Sequence, residues 1–111
     1  ITKPKISGPS GSGGALSSTK TINENTTSIH SFSANESVSW FLNGGADASK
    51  FQIDQASGAL SFKTAPNYEN PTDSDSNNTY NVIVQAKDGH GNISNQTLNV
   101  SINDVDKINS L

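Results

Sequence analysis

From Thr19 onward the apolar residues fall in short alternating runs. Val38, Trp40 and Leu42 share one phase, with Ser37, Ser39 and Asn43 opposite. Tyr80, Val82, Val84 and Ala86 form a second such series, and Leu98, Val100 and Ile102 a third, set against Asn99, Ser101 and Asn103. Phe51 with Ile53 and Leu60 with Phe62 make two shorter pairs. A period of two buries one face of a strand, whereas a helix needs apolar residues three and four apart. No ten-residue window carries such a helical stripe. The pattern predicts seven strands, near residues 19–24, 28–34, 37–42, 50–53, 59–63, 79–87 and 93–104. Turn chemistry separates them: Asn43-Gly44-Gly45, Asp54 to Gly58, and Asp88-Gly89-His90-Gly91-Asn92. Gly and Asn tolerate the positive φ that tight turns require. Asn67 to Asn78 reads as a long polar loop holding Pro71, with Pro66 just before it.

Seven short antiparallel strands in about 100 residues predict an all-β, Ig-like sandwich. Residues 1–18 read as a linker or lead-in. Ile1 to Ile6 can form a short edge strand, and Ser7 to Gly14, rich in Gly and Ser, reads as a flexible connector.

Composition explains the outward faces. Ser, Thr and Asn supply 41 of the 111 residues, only 31% are apolar, and there is no Cys or Met. Small polar side chains keep a strand surface soluble without charge, and Thr also favours the strand. Disulfides and thiolate metal sites are excluded. The net charge is -3, and all seven cations are Lys. That balance argues against nucleic acid as a partner, because phosphate contacts need clustered Lys and Arg. Membrane insertion is not expected, since no stretch approaches the roughly 20 apolar residues of a spanning helix.

Candidate catalytic groups are few. His30 lies in a predicted strand and His90 in a Gly-flanked turn, and neither stands in a motif that would pair it with a nucleophile and an orienting acid. No catalytic residues are assigned, and the chain is not expected to be an enzyme. The acids are more informative, because they gather at strand ends. If strands alternate direction, Glu24, Glu69, Asp104 and Asp106 can meet at one pole, with Glu36 and Asp88 at the other. Crowded carboxylates repel unless a cation compensates them. An oxygen-only ligand set without His or Cys suits a hard cation such as Ca²⁺. The alternative is that acids in turns are simply solvated. Asp73, Asp75 and Asn77 have ligand-like spacing, but the closing Gly and Glu of a calcium loop are missing, so this stretch reads as a solvated loop. Six Asn-x-Ser/Thr triplets, starting at Asn25, Asn35, Asn77, Asn92, Asn95 and Asn99, are what chance gives at this composition.

Five patches in order across Lys20 to Lys107 resemble the cadherin domain, in the divergent form found as repeats of large bacterial surface and secreted proteins. Asn23-Glu24-Asn25 resembles the glutamate motif that closes the first strand. Phe51-Gln52-Ile53-Asp54 with Ser57-Gly58-Ala59-Leu60 resembles the family's hairpin, and Asn67-Tyr68-Glu69 its Asp-Arg/Tyr-Glu motif. The alternation from Tyr80 through Val82, Val84 and Ala86 to Asp88 resembles the long strand, and Val100 through Ile102, Asp104, Val105 and Asp106 the terminal linker.

The resemblance implies Ca²⁺ at the junctions of a tandem array. Glu24, Asn67, Glu69, Asp104 and Asp106 would be side-chain ligands at the C-terminal pole, with the Val105 carbonyl beside them. Asp88 would serve the opposite pole, near Glu36, where the family's Asp-x-Asp motif is replaced by Asn35-Glu36-Ser37. Asn67 stands where the family has Asp, and Lys107 where a further linker acid is common, so one or two weak sites per junction are expected. Domain boundaries follow: a lead-in over 1–18, the cadherin-like domain over 19–107, and the start of the next linker over 108–111. The implied role is an extracellular or cell-surface structural and adhesion module. Its partners would be neighbouring domains of the same chain, with a cell-surface protein or glycan beyond them, and the isolated domain would be a monomer. The other reading is an Ig-like module that binds a glycan or protein directly, for which Phe41 is the aromatic outside the predicted core.

Overall fold

A computed structural model describes residues 4–10, 13–14, 16–73 and 76–105. Among these residues nine strands form: β1 (Ile6–Ser7), β2 (Ser17–Asn23), β3 (Ser28–Ser31), β4 (Ser33–Ala34), β5 (Ser39–Leu42), β6 (Phe51–Ile53), β7 (Ala59–Phe62), β8 (Thr79–Lys87) and β9 (Ile93–Asn103). A 3₁₀ turn, Ala48–Lys50, leads into β6. The larger sheet has the order β2-β9-β8-β5, the second β3-β7-β6, and β1 pairs with β4 in a short ribbon. The result is the all-β sandwich that the alternation predicts. The seven expected strands recur with ends shifted by up to two residues, except that 28–34 divides in two.

That division has a local cause. The pairing of β3 with β7 shifts register between Ser28 and His30. Phe32 then turns inward, only 2% exposed, with its N–H on the Gly58 carbonyl. Beyond this kink the chain leaves β7 and pairs with β1. The kink seats Phe32 against Trp40, with ring centroids 6.0 Å apart.

The core is built from the alternating series. Tyr80, Val82, Val84 and Ala86 of β8 and Leu98, Val100 and Ile102 of β9 are buried, and they pack with Trp40, Phe51, Leu60 and Phe62. Phe51 and Phe62 stack at 4.7 Å, and Tyr80 meets Phe62 edge-on at 5.0 Å. Aromatic pairs in such arrangements add about 0.5–1.5 kcal/mol beyond their buried area.

Two departures from the expected layout matter for function. First, β2 runs parallel to β9, with Asn23 opposite Asn103, while β8 with β9 and β5 with β8 are antiparallel. Second, the described part of 1–18 is built into the sandwich. Ile6 is 2% exposed, and its carbonyl accepts from Gln96 Nε2. Gln96 is fully buried, and Ser18 Oγ donates to its Oε1 at 2.8 Å. A buried amide needs partners, and here residues 1–18 provide two, at Ile6 and Ser18. A Cβ on Gly8 would collide with Gln96 Oε1, so the close approach of this segment requires glycine there.

Candidate metal centre

The pole where β2 and β9 end is defined by their parallel pairing. With Asn23 beside Asn103, the next residue of each strand is an acid, Glu24 and Asp104. Glu24 N–H donates to the Asn103 carbonyl at 3.1 Å, extending the ladder one step past the strand. The chain then reverses. Thr26 Oγ1 donates to the Asn23 carbonyl at 2.6 Å, Asn25 takes a φ of 67°, and its N–H donates to the Pro66 carbonyl. This turn directs Glu24 inward, and it is 2% exposed.

Glu24 organises the pole. Its Oε1 accepts the Tyr68 N–H and its Oε2 the Val105 N–H, both at 2.9 Å. One carboxylate therefore ties the loop after β7 to the segment after β9. A carboxylate oxygen has two lone pairs, so each keeps one for a cation. In that loop Asn67 Oδ1 accepts the Glu69 N–H at 3.0 Å, an Asx turn that presents Glu69. Asn78 Nδ2 holds the Tyr68 carbonyl at 3.1 Å.

Glu24, Glu69 and Asp104 are thereby brought together. One carboxylate oxygen from each lies within 4.8 Å of the others, with Glu24 buried, Asp104 half-buried and Glu69 exposed. The Glu69 carboxyl is pushed above its ordinary value. Local loss of water is the largest cause; a hydrogen bond from the Glu69 backbone opposes it, and the hydrogen bond and charge of Asp104 and the charge of Glu24 add to the rise. Like charges this close favour the neutral acid. A cation would reverse that preference. The donor set fits a hard cation: three carboxylates from three separate segments, with no nitrogen or sulfur among them. Asp106 lies outside the described residues.

Asp88, the acid expected to serve the other pole, is engaged differently. Its Oδ1 accepts the His90 and Asn92 N–H groups at 2.8 and 2.9 Å, and its Oδ2 accepts Asn92 Nδ2 at 3.0 Å. Burial pulls its pKa up, but these donors and the nearby His90 outweigh it and leave the group below the usual range. Asp88 closes the β8–β9 turn. Glu36 is exposed between β4 and β5. Among the described residues, the one grouping of three or more acids or His within such reach is at the β2/β9 pole.

Sequence reading missed two structural acids. Asp47 Oδ2 accepts the Asn81 N–H at 2.9 Å, and Asp73 accepts the N–H groups of Asn77 and Asn78 at 2.9 and 3.0 Å. Asp73, noted for metal-like spacing, thus folds its own loop, and Asp75 lies outside the described residues. Position within a turn is the signal that such acids carry, and it does not separate a cap from a ligand.

No protein-family profile matches the chain, and no curated protein matches it. Solved structures do. Drosophila N-cadherin EC1-3 superposes with a TM-score of 0.71 at 22% identity, covering 94% of this chain and 35% of that one. For the third cadherin domain from human protocadherin 7 the values are 0.66, 20%, 94% and 88%. Protocadherin Gamma B2 extracellular cadherin domains 3-6 give 0.68, 18%, 90% and 22%. The chain spans about a fifth to a third of the multi-domain structures and most of the single-domain one. At these identities the likeness is one of architecture: the chain has the cadherin-like β-sandwich fold.

Proposed function

We propose that this chain is a calcium-binding structural and adhesion module, one unit of a tandem array in a large extracellular bacterial surface or secreted protein. The observation that supports it is the convergence of Glu24, Glu69 and Asp104 within 4.8 Å at the end of the last strand, where a following domain would begin. Glu24, Glu69 and Asp104 would hold the cation, with Asn67, Val105 and Asp106 completing the shell, and Asp88 and Glu36 would face the preceding domain. Bound Ca²⁺ would supply positive charge that relieves the carboxylate crowding and stiffens the junction. The role is mechanical, not enzymatic, and its direct partners are neighbouring domains.

Extracellular modules bind Ca²⁺ at about 10⁻⁴–10⁻³ M. At a free concentration about 100-fold above Kd, one site adds about 2.7 kcal/mol to stability. Terbium, a luminescent stand-in for Ca²⁺, tests the site in this chain, with Tyr68 as the nearby sensitiser. The expected outcome is a saturable emission that CaCl₂ competes away, together with a rise in Tm on adding CaCl₂. Both should be lost in Glu24→Gln. Absence of emission and of any Tm shift up to 10-fold above that affinity range would overturn the proposal.

A further inference from the structure

The outer face of the larger sheet carries almost no fixed charge. The outward positions of β2, β9, β8 and β5 are Ser, Thr, Asn and Gln almost throughout, and Lys87 at one margin is the single charge among them. Across the whole chain 15% of residues are charged. Ile93 at the β9 margin, opposite Lys87, is apolar and 38% exposed, and Phe41 and Ile83 form an adjacent apolar pair. Phe41 lies opposite Gln85, and Ile83 is its diagonal neighbour two residues along β8. Both are half-buried on the solvent side, and β5 is the edge strand, so no strand flanks Phe41 on its outer side.

Amides surround that pair. Asn95 Oδ1 accepts from Asn43 Nδ2 at 3.2 Å and from Gln85 Nε2 at 3.3 Å, and Asn81 Nδ2 donates to Asn99 Oδ1 at 3.0 Å. Each amide offers two donors and two acceptor lone pairs, so this ladder uses only part of its capacity while fixing the side chains in place. Strands about 4.7–4.9 Å apart repeat these groups as a regular, rigid grid.

We propose that this face binds a neutral polysaccharide. The complementarity lies in charge and in hydrogen-bond character. A hydroxyl-rich polymer without ionised groups needs paired donors and acceptors, which the amides supply, and an apolar surface for the C–H face of a sugar ring, which Phe41 and Ile83 supply. A cationic polymer finds no partner charge here, and an anionic one finds only Lys87 at the margin. A coat serving solubility alone has no need of an apolar pair set among its amides. The inference is independent of the proposed calcium site, which lies at the β2/β9 pole.

Native electrophoresis of the full chain through gels cast with hydroxyethylcellulose, xylan, dextran, galactomannan or alginate tests it. Retardation is expected in at least one neutral gel, unchanged by EDTA, and absent in alginate. Oligosaccharides of the retarding polymer should shift the amide resonances of Phe41, Gln85, Asn95 and Thr97. Phe41→Ala should weaken binding at least tenfold. Asn95→Asp, an exposed change that places a charge in the grid, should do the same while leaving Tm unchanged. No retardation in any neutral gel, or resonance shifts confined to the poles or to the 500 Å³ cleft lined by Lys50, Lys63 and Tyr80, would overturn the proposal.

Discussion

Asp88 and Glu69 show how context divides one side-chain chemistry into two roles. Asp88 receives three donors and closes a turn. Glu69 sits beside two other carboxylates, and its pKa is raised. The consequences for stability have opposite signs. A lowered carboxyl pKa, as at Asp88 and at Asp54 in the β6–β7 hairpin, gives stability that is present above the ordinary value and lost as pH falls through the folded one. At Glu69 the folded chain binds more protons than the unfolded chain just above the ordinary value of 4.5, so stability falls as pH rises through that window. In chelator, Glu69→Gln should therefore melt higher than the parent chain above that value and gain nothing well below it. With saturating CaCl₂ the order should invert, because the parent then keeps a ligand that the variant lacks. Thermal melts across a pH series, with and without CaCl₂, check both halves.

Elements were read best where the alternation is long. The series from Tyr80 to Ala86 and from Leu98 to Ile102 each bury one face, and β8 begins and ends at the expected residues. The stretch 28–34 reads as one strand because nothing local marks the kink. Its cause is tertiary: Phe32 is drawn between Gly58 and Trp40. Gly58 itself has a φ of 77°, and a Cβ there would lie 2.7 Å from the Phe32 carbonyl oxygen and 2.9 Å from Trp40 Cε2. Gly58→Ala should thus cost about 1–3 kcal/mol, combining left-handed strain with a displaced kink. Urea denaturation should show a lower midpoint at an unchanged slope. Ile6 was placed in a lead-in for a similar reason. A short apolar residue before a Gly/Ser stretch carries no period, and only the buried Gln96 across the sheet gives it a place.

For the whole molecule, the extents of 58 × 23 × 21 Å describe a rod, with the acid triad where β2 and β9 end. In the proposed tandem array a cation at that end would act on the angle between one rod and the next, so its removal should change shape more than fold. Small-angle scattering from two copies of the chain joined in tandem should show the maximum dimension falling and the profile broadening in EDTA, with the far-ultraviolet circular dichroism of each sandwich retained. An unchanged scattering profile would separate any cation binding from a stiffening role.

The sequence by itself determined the strands, their buried faces and the turns between them, because a period of two and the conformational freedom of Gly and Asn are local properties. It also placed the acids at strand ends. Alternating strand directions already allowed Glu24, Glu69 and Asp104 to meet at one pole; what the sequence could not decide was which strands pair there and what holds the carboxylates. That depended on β2 leaving the antiparallel order to run parallel with β9, a pairing between residues 80 positions apart. This pairing sets Glu24 beside Asp104, lets the Glu24 carboxylate gather the Tyr68 and Val105 backbones, and leaves Asp88 to close a turn. The carboxylate contacts are long-range, and no spacing along the chain encodes them.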